Sequence, residues 1–415
     1  MSGYDKNPLV PRLRFPEFRD AGEWSAIELG RFSRLVTERV GNTTCTPYTI
    51  TSGVGLISQE EKLGRTIAGN SLKNYIVLQR NDFAYNKSAT KAYPQGFIAL
   101  YVGDDRAAVP NSIFTCFRVD QSQVVPAFLD KLFSVNLHGR WLRKRISIGA
   151  RAHGSLQVSD DDLMATPVPL PRGSRSLSEQ QKIADCLSSL DELITSGIQK
   201  FDAINTFKKG LIQELFPRKG GTLPKRRFPE FRAAAEWEIR TLAELAENLD
   251  NRRIPVAEKD RVKGGTPYYG ASGVVDYIHG HIFDEELLCI SEDGANLLAR
   301  NTPIAFSISG KSWVNNHAHV LRFESRYVQR IVEDYLNSIS LEDYLTGMAQ
   351  PKLNRAKLDT IPVPIPQDVD EQKAVADYLA CLDSMIVAQS RKVDLLRTHK
   401  MGLMQQLFPK GNGGV

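Results

Sequence analysis

The chain lacks the marks of several protein classes. Its five cysteines (Cys45, Cys116, Cys186, Cys289 and Cys381) are scattered and contain no C-x-x-C. That argues against a disulfide framework or a cysteine zinc site and suits a reducing, cytoplasmic setting. No uninterrupted apolar run approaches the roughly 18 residues a membrane span needs. The N-terminus is polar, with no apolar signal region. A net charge of only +5 excludes an overall polycation but not a local basic face.

Catalytic signatures are also missing. Ala305 to Ser312 nearly spells a phosphate loop, but Ala305 stands where its first glycine is required. His279-Gly280-His281 and His317-Ala318-His319 place pairs on one strand face, yet two further ligands at sensible spacing are absent, so no metal is expected. Glu60-Glu61-Lys62 and Glu371-Gln372-Lys373 have the carboxylate-x-lysine spacing of many nucleases. No aspartate between Asp20 and Asp82 completes the first, and the second reads better as a helix start. No Asn/Asp-Pro-Pro-aromatic segment of the amino-methyltransferase kind is present. The chain is expected to be non-catalytic and to hold no cofactor.

What is present is a duplication. Arg14-Phe15-Pro16-Glu17-Phe18-Arg19, with Glu23-Trp24, returns as Arg227-Phe228-Pro229-Glu230-Phe231-Arg232, with Glu236-Trp237. Leu187 to Pro217 reads without a gap against Leu379 to Pro409. A period of about 200 residues marks a doubled domain, not a solenoid.

Each half begins with this entry segment and continues with short β-type runs, among them 75–78, 96–102, 114–119 and 318–323. Apolar, β-branched and aromatic residues bounded by turn formers read as strands. Helical patterns cover 126–145 and 326–345. The expectation is α/β (mixed α+β), one globular domain per half. Each mixed stretch ends in alternating prolines, Pro167 to Pro171 and Pro362 to Pro366, an extended connector because proline disfavours helix in the residue before it.

A long helix follows each connector, with Ser178-x-x-Gln181 and Asp368-x-x-Glu371 as expected capping boxes. The first helix places Ile183, Leu187, Leu190, Ile194, Phe201, Ile204, Leu211 and Leu215 at alternating steps of heptad type. The second places Val375, Leu379, Leu382, Ile386, Val393, Leu396, Leu403 and Leu407 at matching positions. Gly197/Gln389 and Lys208/Lys400 interrupt both stripes at the same two steps. Sustained period 3.5 is a coiled-coil seam. Each helix would run roughly 57 Å. Its simplest partner is its own repeat, antiparallel and related by pseudo-twofold symmetry. The resulting division is 1–172, first globular domain; 173–217, first spacer helix; 218–366, second domain; 367–410, second spacer helix; and 411–415, tail.

The interiors of the two domains diverge. Asp82 to Ser88 finds no obvious twin, and neither do Glu292 to Leu297 or Gly310 to His317. Related modules on a spacer, with different variable parts, suit a reader of two half-sites. The entry segment, the proline exit, the Glu179-Gln180 and Glu371-Gln372 helix starts and the Leu-Phe-Pro endings together resemble the specificity subunits of type I restriction-modification systems. The resemblance covers nearly the whole chain. It implies two target-recognition domains on spacer helices and a non-catalytic DNA-binding subunit for a bipartite target. It further implies that methyltransferase subunits dock on the helices and bring S-adenosylmethionine. Translocating endonuclease subunits, using ATP and Mg2+, would join them.

Within that resemblance, candidate DNA contacts are Arg140, Arg143, Lys144, Arg145 and Arg151, a stretch of cations without an acid. Tyr85, Asn86, Lys87, Ser88 and Lys91 offer amide and cation readout in the first domain, with an Asx turn as the competing reading of Asn86. Arg252, Arg253, Gly294, Ala295, Asn296, Lys311, Trp313, Asn315, Asn316 and His317 are their counterparts in the second. The competing classes are a coiled-coil adaptor with protein-binding ends and a stand-alone nuclease.

Overall fold

The repeated entry segment folds the same way twice. Pro16–Phe18 and Pro229–Phe231 are single 3-10 turns with proline leading, where its missing N–H costs nothing. Each turn leads to a strand. Trp24–Glu28 pairs antiparallel with the proline-alternating strand Pro167–Pro171, and Glu238–Thr241 pairs with Pro362–Ile365. The expected connectors are therefore strands, each closing its domain against its own entry segment. Proline at every second position leaves the intervening N–H groups for the ladder.

This computed structural model describes residues 9–51, 54–148, 156–347 and 350–409. Arg151 and the 411–415 tail lie outside the described residues. The chain divides into two compact units, 1–196 with 393–415, and 197–392.

Each unit carries two four-stranded sheets of the same topology. In the first, Ser33–Leu35, Phe114–Val119, Asp82–Asn86 and Phe97–Leu100 lie in that order. In the second, the order is Ala246–Asn248, Ala318–Phe323, Leu287–Ser291 and Ala305–Ile308. The other sheet contains one parallel contact in each case, Thr46–Thr51 beside Ala107–Val109 and Lys263–Gly270 beside Lys311–Val314. Register makes the equivalence exact enough to use: Phe83 opposes Phe117 as Leu288 opposes Leu321, so Lys87 and Glu292 each follow the equivalent strand by the same step. The segments without a sequence twin thus occupy the same place.

The expected helix 126–145 is two, Pro126–Ser134 and Leu137–Leu142. Asn136, at φ +60°, breaks it with a left-handed residue. The helix from Arg326 ends at Ser338.

The long helices are Ser176–Leu215 and Val369–Leu407. Every expected seam residue is buried or half-buried. In the first unit Ile183 and Leu187 share a core with Met404 and Leu407, and Lys400 pairs with Asp191. In the second, Leu211 and Leu215 share a core with Val375, Leu379 and Leu382. There Gln389 Nε2 donates to the Gly197 carbonyl at 2.9 Å. Within each unit the helix halves run antiparallel, as the seam predicted.

The capping boxes need correction. The first long helix starts at Ser176, inside which Ser178 is an ordinary helical residue, and the Gln181 amide binds Asp185 instead. Asp368 does cap the second helix as expected, its Oδ1 accepting from the Asp370 and Glu371 N–H groups at 2.8 and 3.4 Å. Glu371 does not reach back to it, because its carboxylate is taken elsewhere.

Candidate nucleic-acid interface

The elements that hold each domain to its helix explain the repeated motifs. Arg14 donates from Nε and Nη2 to Glu179 at 2.7 and 2.6 Å, and Trp24 Nε1 shares Oε1 at 3.3 Å. Arg227 forks onto Glu371 at 2.7 and 2.6 Å, with Trp237 Nε1 at 3.1 Å. Glu179 and Glu371 are both buried, so a bidentate guanidinium and an indole N–H satisfy carboxylates that burial would otherwise penalise. The Phe-Pro-Glu-Phe…Trp and Glu-Gln motifs are two sides of one clamp. Glu371 and Glu179 are therefore structural. Lys62 is also occupied, donating to the Ile50 carbonyl at 2.7 Å.

With the frame fixed, three segments meet in each domain. In the first, the Lys87 N–H donates to the Ile113 carbonyl and the Leu156 N–H to the Lys87 carbonyl, both at 2.8 Å. In the second, the Glu292 N–H donates to the His317 carbonyl at 2.9 Å and the Leu353 N–H to the Glu292 carbonyl at 2.7 Å. One strand end, the start of its neighbour and the stem of a following hairpin form each junction. The hairpin stems are Ser147–Ile148 with Leu156–Gln157, and Thr346 with Lys352.

In the first domain the structure sorts the candidates. Tyr85 is not a surface contact. It is fully buried, its hydroxyl donates to the Gln95 carbonyl at 2.8 Å, and burial pushes its phenol above the ordinary range. Strand alternation turned it into the core. Asn86 forms the Asx turn, its Oδ1 accepting from the Ser88 N–H at 3.0 Å. Lys87 and Ser88 are half-buried at the junction, and Lys91 is exposed in the following loop. That loop is anchored by Tyr85 and by His138, whose Nε2 donates to the Gly96 carbonyl at 3.1 Å. Gly96 has φ +81°, and a Cβ there would lie 2.4 Å from the Asn86 carbonyl oxygen, so only glycine fits.

Arg140, Arg143 and Lys144 are exposed at the end of the short helix that runs into the first hairpin. Among the described residues none of them has an acidic partner. Arg145 differs. Its guanidinium lies 3.3 Å from the Trp141 ring centroid and 3.9 Å from Asp162.

The second domain sorts its candidates similarly. Asn296 spends both ends of its amide on Thr302, at 3.0 and 3.1 Å. Asn315 is buried and caps the turn to His317 at 2.8 Å. Trp313 Nε1 donates to the Ile254 carbonyl at 2.7 Å. Arg252 pairs with Glu285 at 3.2 Å and lies over Phe283. Arg253 is a half-buried strut. It donates to Glu292 at 2.6 Å and to the Ala318 carbonyl at 2.8 Å. Gly294, at φ +109°, turns the backbone beside exposed Ala295. Lys311 and Asn316 are exposed, and exposed His317 sets Nδ1 2.9 Å from Asp293.

Lys352 was missed. It is half exposed, its backbone bridges both Asp293 and Thr346, and its Nζ lies 3.1 Å from Glu292. The signal was available. Reading the repeat backward from Pro167 and Pro362 aligns Leu163 with Leu358 and Ser159 with Asn354. Both are helix N-caps, and the hairpins lie just before them.

One cluster of metal-ligand types occurs among the described residues: Asp250, Glu292 and His319. His319 thus meets two carboxylates that spacing did not reveal. Proton donors already occupy them. Asp250 accepts from the Val320 N–H at 2.9 Å and meets His319 Nδ1 at 2.6 Å, while Glu292 holds Arg253 and Lys352. Burial alone would raise both carboxyls, but His319 and Arg253, with Lys352 on Glu292, hold them below the usual range. A dication would have to displace two cations, so the cluster is an ion network, not a metal centre.

Comparison with known proteins fits this architecture. The model of the type I restriction modification DNA specificity domain matches residues 234–393. A putative type I restriction enzyme specificity subunit of Haemophilus influenzae is 39% identical over 132 residues, 32% of this chain and 34% of that protein. The match therefore spans about a third of that relative. The type I restriction enzyme MjaVIII specificity subunit of Methanocaldococcus jannaschii is 23% identical over 331 residues, 71% of this chain and 72% of the relative. The fold is that of the type I restriction-modification S subunit from M. genitalium, with a TM-score of 0.62 at 14% identity, covering 97% of this chain and 100% of that one. A chain from a structure on assembly and conformational transition of the type I system gives 0.53 at 16%, covering 94% and 98%. Residues 234–393 thus match the type I specificity-domain family, and along most of its length the chain is similar in sequence and fold to type I specificity subunits.

Proposed function

We propose that this chain is the non-catalytic, sequence-reading subunit of a type I restriction-modification complex, each globular domain reading one half of a bipartite DNA target. It aims adenine methylation and restriction carried out by partner chains. The observation that carries the reading is the equivalence of the two junctions: the same backbone geometry presents different side chains, Lys87 in one domain and the Glu292 network in the other. A shared frame with divergent junctions is what two different half-sites require.

The contact set proposed from the geometry is Lys87, Ser88, Lys91, Arg140, Arg143 and Lys144 in the first domain. In the second it is Lys311, Asn316, His317 and Lys352. Cations position the phosphate backbone, and exposed amides and hydroxyls read base edges. Arg145 and Arg252 carry contacts of their own within the protein, and Tyr85, Asn86, Asn296 and Arg253 support the junctions from inside.

Methyltransferase subunits, bringing S-adenosylmethionine, would dock on the long helices. Phe207, Met385, Val387, Leu395 and Met401 are large apolar residues exposed there, a pattern that marks protein contact. Endonuclease subunits using ATP and Mg2+ would complete the assembly, in a cytoplasmic setting.

The test is to map methylated adenines across a genome with and without this gene while the methyltransferase subunits remain. Loss of methylation at one bipartite motif is expected. Modification of the same motif by those subunits without this chain would sink the reading.

A further inference from the structure

The return arm of the second-domain hairpin is pinned residue by residue. The Gly294 N–H donates to the Pro351 carbonyl at 3.1 Å. Lys352 and Thr346 exchange backbone hydrogen bonds at 2.8 Å in each direction, and the Leu353 N–H donates to the Glu292 carbonyl at 2.7 Å. Gly347, at φ +82°, admits a close approach: a Cβ there would lie 2.6 Å from the Gln350 carbonyl oxygen. Pro351 has a fixed φ and favours extended backbone at Gln350, the residue before it.

Side chains alternate along this arm. Pro351 and Leu353 are buried, while Gln350 and Lys352 face solvent. In extended chain, residues two apart share a side, so Gln350 stands beside Lys352, about 7 Å along the arm. Among the described residues the Gln350 amide has no hydrogen-bond partner. Asn296 and Asn315 differ, their amides being spent on Thr302 and on the turn to His317. The Gly294-Ala295 turn bonded to the arm carries nothing larger than a methyl group, so it does not wall off the amide.

We infer that Gln350 is a specificity-determining residue of the second domain and reads an adenine in that domain's half of the target. This rests on the DNA reading proposed above and names one base within it. A primary amide sets a carbonyl acceptor beside an N–H donor. That pair matches the N6 amino group and N7 of adenine in the major groove, and a good bidentate pair discriminates against the wrong base. Lys352 sets the register. Its ammonium, 3.1 Å from Glu292 Oε1, meets the phosphate backbone, which carries no sequence, while Gln350 beside it meets the base edge.

The test uses the full chain assembled with its methyltransferase subunits, acting on duplexes in which each base pair of the mapped motif is replaced in turn. Gln350→Ala should relax one A·T position in one half by roughly tenfold and leave the other half unchanged. Gln350→Glu should move that position toward C·G, because a carboxylate accepts from the cytosine N4 amino group and offers no donor to adenine N7. Neither variant should alter the dependence of affinity on salt. Lys352→Ala should instead weaken all sequences alike and reduce the salt slope by about one. Gln350 is exposed, so both of its variants should keep the parent's urea midpoint. Unchanged preference at every position in Gln350→Ala, relaxation at a G·C position or in both halves, or retained adenine preference in Gln350→Glu overturns the role of Gln350. A wild-type complex with no base preference in either half overturns the DNA reading itself.

Discussion

Lys208 Nζ on the first long helix lies 2.6 Å from Asp383 Oδ1 on the second, and 2.9 Å from Asp334 on the helix Arg326–Ser338. Lys400 makes the corresponding contact with Asp191, which also takes Lys131 from the first domain at 2.9 Å. The lysines that interrupt the apolar seams are thus the points where helix meets helix and domain at once. Polar groups in a seam fix register at some cost in stability.

Lys208→Met should therefore destabilise the second unit by about 2–4 kcal/mol, because the buried Asp334 and half-buried Asp383 keep only Arg330. Adding Asp383→Leu should recover part of the loss, a coupling measurable by urea unfolding of the two single variants and the double variant. Additive losses would show that Lys208 stabilises through something other than this pair.

Arg227→Lys tests the clamp. A lysine offers one point charge where the guanidinium makes two bonds to Glu371 and others to the Ala234 and Ala235 carbonyls, at 2.9 and 2.7 Å. The expected cost is about 2–3 kcal/mol, with a lower urea midpoint and an unchanged slope. Arg14→Lys should behave alike in the other unit.

How much of this was legible followed from what repeats. Heptad spacing carried the seam, because packing along a helix is periodic and every seam residue is buried or half-buried. The duplicated motifs marked the clamp without revealing that Arg227 and Glu371 meet, since that contact spans 144 residues. The candidate site was proposed from the sequence as a region, and the fold then sorted its residues one by one. Tyr85, Asn86 and Asn296 are polar residues at segment ends, a pattern shared by readout groups and by turn formers. Only the fold decides that Asn86 serves Ser88 and Asn296 serves Thr302. Lys352 was reachable only by aligning the repeat backward from the prolines, because its contacts with Glu292 and Asp293 lie far away in sequence.

His138 predicts an acid weakness of the first domain. Burial lowers its pKa from 6.5 to about 4, the Gly96 carbonyl opposing. The unfolded chain takes up a proton near pH 6.5 and the folded chain only near pH 4. Stability is unaffected above the first value and falls as pH drops from about 6.5 to about 4, by up to about 3 kcal/mol. In His138→Phe this slope should disappear whatever the variant's absolute stability. Urea midpoints across that window are the measurement, and a slope that survives the substitution would assign it elsewhere.

Tyr85 and the Arg143–Lys144 pair separate support from contact. Arg143 and Lys144 are exposed and without acidic partners, so Arg143→Ala with Lys144→Ala should leave folding within about 0.5 kcal/mol of the parent. If both meet phosphates, log affinity against log salt should lose about two units of slope, uniformly across target sequences. Tyr85→Phe should do the reverse. Its hydroxyl meets only the Gln95 carbonyl inside the domain, so the variant should lose about 1 kcal/mol of stability and keep its half-site preference. A changed preference in Tyr85→Phe with an unchanged salt slope in the double variant would mean that DNA approaches the first domain from another face.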